Sequence, residues 1–190
     1  MTAQYQFRVL DESATREEFA KAAGQLGLRR HAVLRDGEEG YEDVWSNAAE
    51  TSAVNYVEDP DLDLRYVSVR GADSAKLLVD LPRKLAIFDP EELIEIAYSA
   101  DEDPEELNTN LLRLAVTYPE YDRRVEFVFQ NYATTAPDPE LRMTALDAIG
   151  LYAWEQLRPV VQQVANNDQN GAVRDYAKRV LERWAATRDE

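Results

Sequence analysis

Residues 138–184 read DPELRMTALDAIGLYAWEQLRPVVQQVANNDQNGAVRDYAKRVLERW, and this stretch decides the predicted fold. It opens on Asp-Pro-Glu. The aspartate of this opening can cap a helix, proline suits the first helical position, and glutamate faces the positive end of the helix dipole. The same opening occurs at residues 89–91 and again at residues 103–105. The sequence therefore predicts a helix start at each of these three places.

The helical segments align with one another along the chain. Leu107, Leu141 and Val173 fall in register, with spacings of 34 and 32 residues. The residues four and eight positions after each of them coincide as well, which is the pattern of amphipathic helices that pack on their neighbours. Four positions on, Ala145 and Ala177 predict close helix–helix contacts, where only a small side chain fits.

The segment 138–184 resembles bacterial HEAT repeats. The residues that carry the resemblance are Asp138-Pro-Glu-Leu-Arg142, Ala145, Ala148-Ile-Gly150, Leu157, Val160, Val164, Asp168, Val173-Arg174, Ala177 and Val180-Leu181. The segment before it, 103–135, departs from the pattern, since Asn108 stands where the later segments have arginine. The resemblance implies antiparallel helix pairs in a right-handed superhelix, a type of fold that more often binds another protein than catalyses a reaction.

The first half of the chain carries strand patterns instead. Valine and tyrosine are frequent in its apolar runs, and Asp, Gly and Pro lie between the runs, where hairpin turns need them. The predicted elements are a strand at 5–10, a helix at 16–28 capped by Ser13 or Thr15, two hairpins joining 31–35 to 41–45 and 53–58 to 64–70, and a helix at 72–85.

The strand patterns stop near Asp89, which places a domain boundary there. We predict a small α+β domain over residues 1–88 and an all-α stack of HEAT-like helical repeats, an α-solenoid, over residues 89–190. The protein would then be mainly α, and the first domain would cap the stack.

The chain is acidic and contains no cysteine. It carries 37 acidic and 21 basic residues, a formal net charge of −16, and residues 89–190 account for −11 of it with 21 acids and 10 bases. Such a surface repels phosphate backbones, so nucleic-acid binding is not expected. The chain has neither a cysteine framework, nor a basic leader, nor an apolar run of about 18 residues. We therefore expect a cytoplasmic protein that does not enter a membrane.

Patterns for catalysis and metal binding are incomplete. His31 is the only histidine, and no glycine-flanked serine elbow accompanies it, so nucleophilic hydrolase chemistry is not expected. The loops 59–63 and 166–171 imitate calcium loops. In the first, however, Leu64 and Arg70 occupy the glycine and closing glutamate positions, and the second lacks its closing glutamate. No glycine-rich phosphate loop is present either. The sequence predicts no metal, no cofactor and no enzymatic activity.

One run of residues stands out as a candidate binding surface. Nine acidic residues and no basic residue lie between Asp89 and Glu106. These acids could simply stabilise two solvated helix starts, or they could dock a basic partner. Aromatic residues beside charge are typical interface anchors. The predicted partner-binding residues are Asp101, Glu102, Asp103, Glu105, Tyr118, Tyr121, Tyr152 and Trp154.

The sequence thus predicts a non-catalytic module, an adaptor, scaffold or inhibitor, that binds another protein, with a basic partner favoured by charge. One alternative is an immunity or antitoxin protein that neutralises a basic toxin. Another is an enzyme of a HEAT-like family, either a DNA glycosylase or a bilin lyase. The acidic second half disfavours the basic groove of a glycosylase, and lyase motifs are not found. Salt adaptation of the source organism would also explain the acidity.

Overall fold

The computed structural model describes residues 5–99 and 103–186. The chain divides into two compact units, Met1–Asp89 and Pro90–Glu190. The sequence pattern placed the domain boundary between residues 88 and 89, where strand periodicity gives way to helical periodicity.

The first unit is an antiparallel sheet with helices on one face. Its elements are β1 (Gln6–Val9), α1 (Arg16–Gln25), β2 (Arg29–Gly37), β3 (Gly40–Ser46), β4 (Ser52–Asp59), β5 (Leu64–Gly71), α2 (Ser74–Asp80) and a 3-10 turn at Leu81–Arg83. The strand order is β1-β5-β4-β3-β2, and all four pairings are antiparallel. Both predicted hairpins are confirmed. The last helix is shorter than predicted because Pro82 has no N–H to continue the helical hydrogen bonds.

Alternate side chains of the central strands point toward the helices and form the core of this unit. Val54 and Tyr56 of β4 and Val67 of β5 are 0% exposed and belong to one cluster with residues of α1 and α2. The ring of Phe19 on α1 lies 5.1 Å from the ring of Tyr56. Thr15 caps α1 in a capping box. The helices therefore cover one face of the sheet.

β2 forms an outer edge of the sheet, and its ladder with β3 is irregular. The register shifts between Arg30 and Ala32 and again between Val33 and Arg35. Each shift leaves one residue of β2 without a partner on β3, which is the geometry of a β-bulge. Most of the strand is exposed, including Val33 at 44% and Leu34 at 59%.

The second unit is helical in its described part. Its elements are α3 (Pro90–Tyr98), α4 (Pro104–Thr117), α5 (Arg123–Thr135), α6 (Pro139–Tyr152), a 3-10 turn at Glu155–Leu157, α7 (Arg158–Asn167) and α8 (Gly171–Ala186). α4 packs against α6 and α6 against α8, while α3 packs against α5 and α5 against α7. Contacts of α3 with α4, α5 with α6 and α7 with α8 join the two rows. Among the described helices, none has the length and apolar character needed to cross a bilayer.

Helices begin at all three predicted Asp-Pro-Glu openings, at Pro90, Pro104 and Pro139. The side chains of Asp103 and Asp138 each accept a hydrogen bond from the backbone N–H two residues further on. Proline occupies the first helical position after both aspartates, where its missing N–H is not needed. The positions at which these three helices begin could therefore be predicted from the sequence.

The prediction of a mainly α protein built on a HEAT-like repeat stack is wrong. The described residues form a mixed α/β protein, with a five-stranded antiparallel sheet in the N-terminal half and eight α-helices. The first unit is more than a cap, since its sheet and helices bury a hydrophobic core of their own. The aligned positions of Leu107, Leu141 and Val173 misled the prediction, because any helix that packs against neighbours needs an apolar face of that period.

Candidate protein-binding surface

The predicted acidic residues lie at a helix start. Asp103 and Glu105 occupy the beginning of α4, where Asp103 Oδ1 accepts a hydrogen bond from the Glu105 N–H at 2.8 Å. Both side chains are exposed. Asp101 and Glu102, the other two predicted acids, lie outside the described residues. The aspartate is thus engaged as a helix cap, while the Glu105 carboxylate faces solvent.

Two other acids of the run are neutralised by arginines from outside it. Glu91 Oε2 lies 2.6 Å from Arg124 Nη1, and Glu106 Oε1 lies 2.5 Å from Arg113 Nη1. Arg124 is 33 positions from Glu91 along the chain. Counting charges along the sequence could not reveal such pairing. Part of the negative charge of this run is therefore neutralised in the folded protein.

Three of the four predicted aromatic residues meet around one turn. The Trp154 Nε1–H donates to Pro119 O at 3.1 Å, and the ring centroids of Trp154 and Tyr121 are 5.7 Å apart. The Tyr118 hydroxyl donates to Pro90 O at 3.3 Å. These contacts join the α4–α5 connection to the segment after α6 and to the start of α3.

This aromatic cluster lies at the opposite end of α4 from Asp103. α4 has 14 residues, so about 20 Å along its axis separates the two groups. The predicted residues therefore do not form one site. Trp154 is only 9% exposed. Tyr152 is half-buried, and burial raises its pKa to about 12.

Tyr121 is the exposed member of the predicted aromatic set, at 44%. Its hydroxyl donates to Glu126 Oε2 at 2.7 Å, and this bond to a carboxylate raises the pKa of Tyr121. The hydroxyl is thus already engaged within the unit. Tyr121 packs its ring edge-on against Trp154 at an interplanar angle of 74°, which makes it part of the turn's own packing.

The most exposed aromatic residues of the second unit were not in the predicted set. Tyr98 at the end of α3 is 53% exposed and Phe127 on α5 is 57% exposed. Their rings stack with centroids 6.1 Å apart and planes 22° apart. A helical wheel could have found Phe127, because Val128 and Phe129 occupy the buried side of α5.

Carboxylates accompany this pair on α3. Glu95 precedes Tyr98 by three positions and Glu92 precedes Glu95 by three, so the three side chains lie on one side of the helix. Both glutamates are exposed, and neither forms an ion pair with any residue in the described ranges. Glu92, Glu95, Tyr98 and Phe127 are hereafter called the α3–α5 patch.

The charges next to the patch are paired. Arg124 Nη1 lies 2.6 Å from Glu91 Oε2, and Arg124 Nη2 lies 2.9 Å from Asp122 Oδ2. The guanidinium holds the pKa of Asp122 below its ordinary value through this hydrogen bond. The Tyr98 hydroxyl also donates to Arg124 O at 3.4 Å. Residues held in ion pairs therefore border the patch, while its two glutamates have no ion-pair partner among the described residues.

Among the described residues, the other residues considered for catalysis or metal binding do not come together in one site. His31 Nδ1 has Glu50 Oε1 at 3.9 Å, and the imidazole is half-exposed. No group of three or more His, Asp or Glu side chains within residues 5–99 and 103–186 is placed to hold a metal ion. In the second calcium-like loop, both carboxylate oxygens of Asp168 are engaged by Arg142, at 2.8 and 3.1 Å.

Comparison of this chain with family models, with curated proteins and with solved structures finds no match. What the α3–α5 patch does must therefore be inferred from its own side chains.

Proposed function

We propose that this chain is a non-catalytic, cytoplasmic protein-binding module whose α3–α5 patch docks a basic segment of another protein. The observation that carries the proposal is the stacked pair of Tyr98 and Phe127. Both rings are more than half exposed beside two glutamates that have no cation partner in the described part of the chain. Exposed aromatic side chains are typical anchors of protein interfaces, because they release a large apolar area from water at a small entropic cost.

The chemistry of the patch favours a cationic occupant. A lysine or arginine side chain can lie over the face of an aromatic ring, an interaction worth about 0.5 to 2 kcal/mol. The carboxylates of Glu92 and Glu95 can then accept charge-assisted hydrogen bonds from the same cation. The net charge of −11 over residues 89–190 adds long-range attraction for a basic partner.

The test compares affinities for a partner recovered by pull-down with the parent chain. Phe127→Ala removes the more exposed of the two aromatic anchors, so it should weaken binding by at least about tenfold, equivalent to about 1.4 kcal/mol. Glu92→Gln/Glu95→Gln keeps the shape of α3 and removes two charges. It should lower affinity at about 0.01 M salt more than at about 0.15 M, because screening already weakens the parent at the higher concentration.

Two further double variants, each removing two charges elsewhere, show which acidic surface binds the partner. Glu38→Gln/Glu39→Gln removes two exposed charges from the β2–β3 turn and should leave affinity near the parent value. Asp103→Asn/Glu105→Gln removes two charges at the start of α4, and its asparagine still caps the helix. A loss confined to this last variant would move the docking surface to α4. Equal binding by all variants would indicate that these acidic residues only stabilise solvent-exposed helix starts.

A further inference from the structure

A cavity of about 220 Å³ opens on the first unit's sheet. Val44 of β3 and Ala53 of β4 line it. Their chain neighbours Trp45 and Val54 belong to, or pack against, the core under the helices. Because successive side chains of a strand point to opposite faces, the cavity lies on the face that α1 and α2 leave uncovered.

Arg70 lines this cavity and has no counter-ion in the described part of the chain. It forms no ion pair with any described residue, although the chain carries 37 acidic side chains. Its Nε atom is buried and has no hydrogen-bond acceptor among residues 5–99 and 103–186. The Arg70 guanidinium lies 5.6 Å from the ring centroid of Tyr5, a contact that supplies no acceptor oxygen. The Nε–H is too buried for a ligand to reach, but the terminal guanidinium nitrogens form no hydrogen bond with any described residue, and a ligand oxygen in the cavity can accept from them.

Further donors line the same cavity. His31 comes from β2 and Ser46 from the end of β3. Ser46 Oγ has no hydrogen-bond partner among the described residues, and neither does the imidazole Nε2 of His31. An imidazole, a hydroxyl and a guanidinium can all donate to the oxygens of one anion. Glu50, which also lines the cavity, is 69% exposed, lies 3.9 Å from His31 and forms no ion pair with Arg70.

The loop that borders the cavity is held in place by its own hydrogen bonds. Asn47 Oδ1 accepts from the Thr51 N–H at 2.9 Å and from the Ser52 N–H at 3.3 Å. Ser52 Oγ accepts from the Asp73 N–H at 2.8 Å. Gly71 approaches this loop so closely that a Cβ would lie 2.1 Å from Thr51 O. A border fixed before binding lowers the entropy that a ligand must overcome.

We propose that this cavity binds a small ligand through an oxyanion group, a carboxylate or a phosphoryl group, with Arg70 as its main counter-ion and His31 and Ser46 as further donors. The ligand is small, because pockets for drug-sized molecules begin at about 300 Å³. This site lies in the first unit and does not depend on the α3–α5 patch in the second.

His31 provides a direct readout because it is the only histidine in the chain. The full chain is titrated with inorganic phosphate and, separately, with acetate, at an ionic strength held constant with sodium chloride. The imidazole NMR signals of His31 should shift and saturate with at least one of these anions. Whichever anion saturates identifies the group that the cavity accepts.

Variants test the role of Arg70. Arg70→Gln should weaken anion binding by at least about tenfold, because a charge-assisted contact is lost. Arg83→Gln removes an arginine that is 71% exposed and outside the cavity, so it should bind like the parent. If Arg70→Gln does not fold, Ser46→Ala takes its place and should weaken binding by about threefold.

The parent chain alone can overturn the proposal. A response of His31 that stays linear with both anions and that chloride reproduces would show screening rather than a site. Equal affinity of a folded Arg70→Gln variant and the parent would overturn it as well.

Discussion

Arg142 and Asp168 form a buried, two-point ion pair between α6 and the α7–α8 connection. Arg142 Nε lies 2.8 Å from Asp168 Oδ2 and Nη2 lies 3.1 Å from Oδ1, and the two side chains are 3% and 6% exposed. The Arg142 Nη1–H also donates to Ala136 O at 2.7 Å, while Asp168 Oδ1 accepts from the Asn170 N–H. One guanidinium thereby fixes the backbone that precedes α6 to the backbone that precedes α8.

Arg142→Met should be strongly destabilising. The substitution leaves the Asp168 carboxylate buried without its cation, and breaking such a pair costs about 3–5 kcal/mol of the free energy of unfolding. Urea denaturation measures this loss. The control is Lys178→Gln in the exposed pair with Asp175, at side-chain exposures of 55% and 66%, where the cost should stay below about 1 kcal/mol. Similar losses for both variants would contradict the special role of the buried pair.

Ala145→Leu and Ala177→Leu should each lower stability by about 1–3 kcal/mol. Both alanines are 0% exposed, so a larger side chain must push the neighbouring helices apart. Ala185→Leu in α8 is the matched control, because Ala185 is exposed and its replacement should change stability by no more than about 0.5 kcal/mol. Thermal unfolding compares the three. If the two buried variants melted like the parent, neither alanine would lie at a tight contact.

Glu58 should make stability depend on pH. Its Oε2 accepts from Arg16 Nη2 at 2.5 Å and its Oε1 accepts from the Tyr56 hydroxyl at 2.8 Å. The bond from Arg16 is the main reason that the pKa of Glu58 lies below its ordinary value. A carboxylate with a lowered folded pKa contributes stability above its unfolded pKa of about 4.3, and this contribution is lost as the pH falls through the folded pKa.

Glu58→Gln should therefore cost about 1–2 kcal/mol at pH 7 and progressively less as the pH falls through the lowered folded pKa of Glu58, because the parent carboxyl then gains its proton. Urea denaturation at a series of pH values below 7 gives the comparison. A difference between parent and variant that did not change with pH would mean that the charge of Glu58 contributes nothing.

Gly71→Ala should be poorly tolerated. Gly71 has a φ of +100°, and an added Cβ would meet Thr51 O at 2.1 Å. Strain and the clash together should cost more than about 2 kcal/mol. Gly37→Ala, where the added Cβ meets nothing within 4 Å, should change stability by less than about 1 kcal/mol. The two melting temperatures make the comparison, and equal values would show that the loop yields to the methyl group.

Local signals in the sequence predicted local structure well. The Asp-Pro-Glu openings gave the helix starts, and the turn residues at 59–61 gave the β4–β5 hairpin, because both depend on chemistry within a few residues. The candidate site depends on contacts across the chain. The pairing of Glu91 with Arg124 and the stacking of Tyr98 on Phe127 arise only when α3 packs against α5. The apolar period that suggested repeats could not specify the fold, since packed helices of many folds share it.

The two register shifts of β2 bear on how the chain behaves at high concentration. An outer strand of nine residues with exposed Val33 and Leu34 would ordinarily be a template for another chain, and repeated pairing of that kind leads to fibrils. Each bulge interrupts the row of outward N–H and C=O groups, so an incoming strand meets only short stretches in register. Arg29 adds a like charge that a second copy of the strand would have to face, whereas Arg30 and Arg35 are paired with Asp43 and Glu42 of β3. We expect this edge to resist aggregation despite its apolar residues.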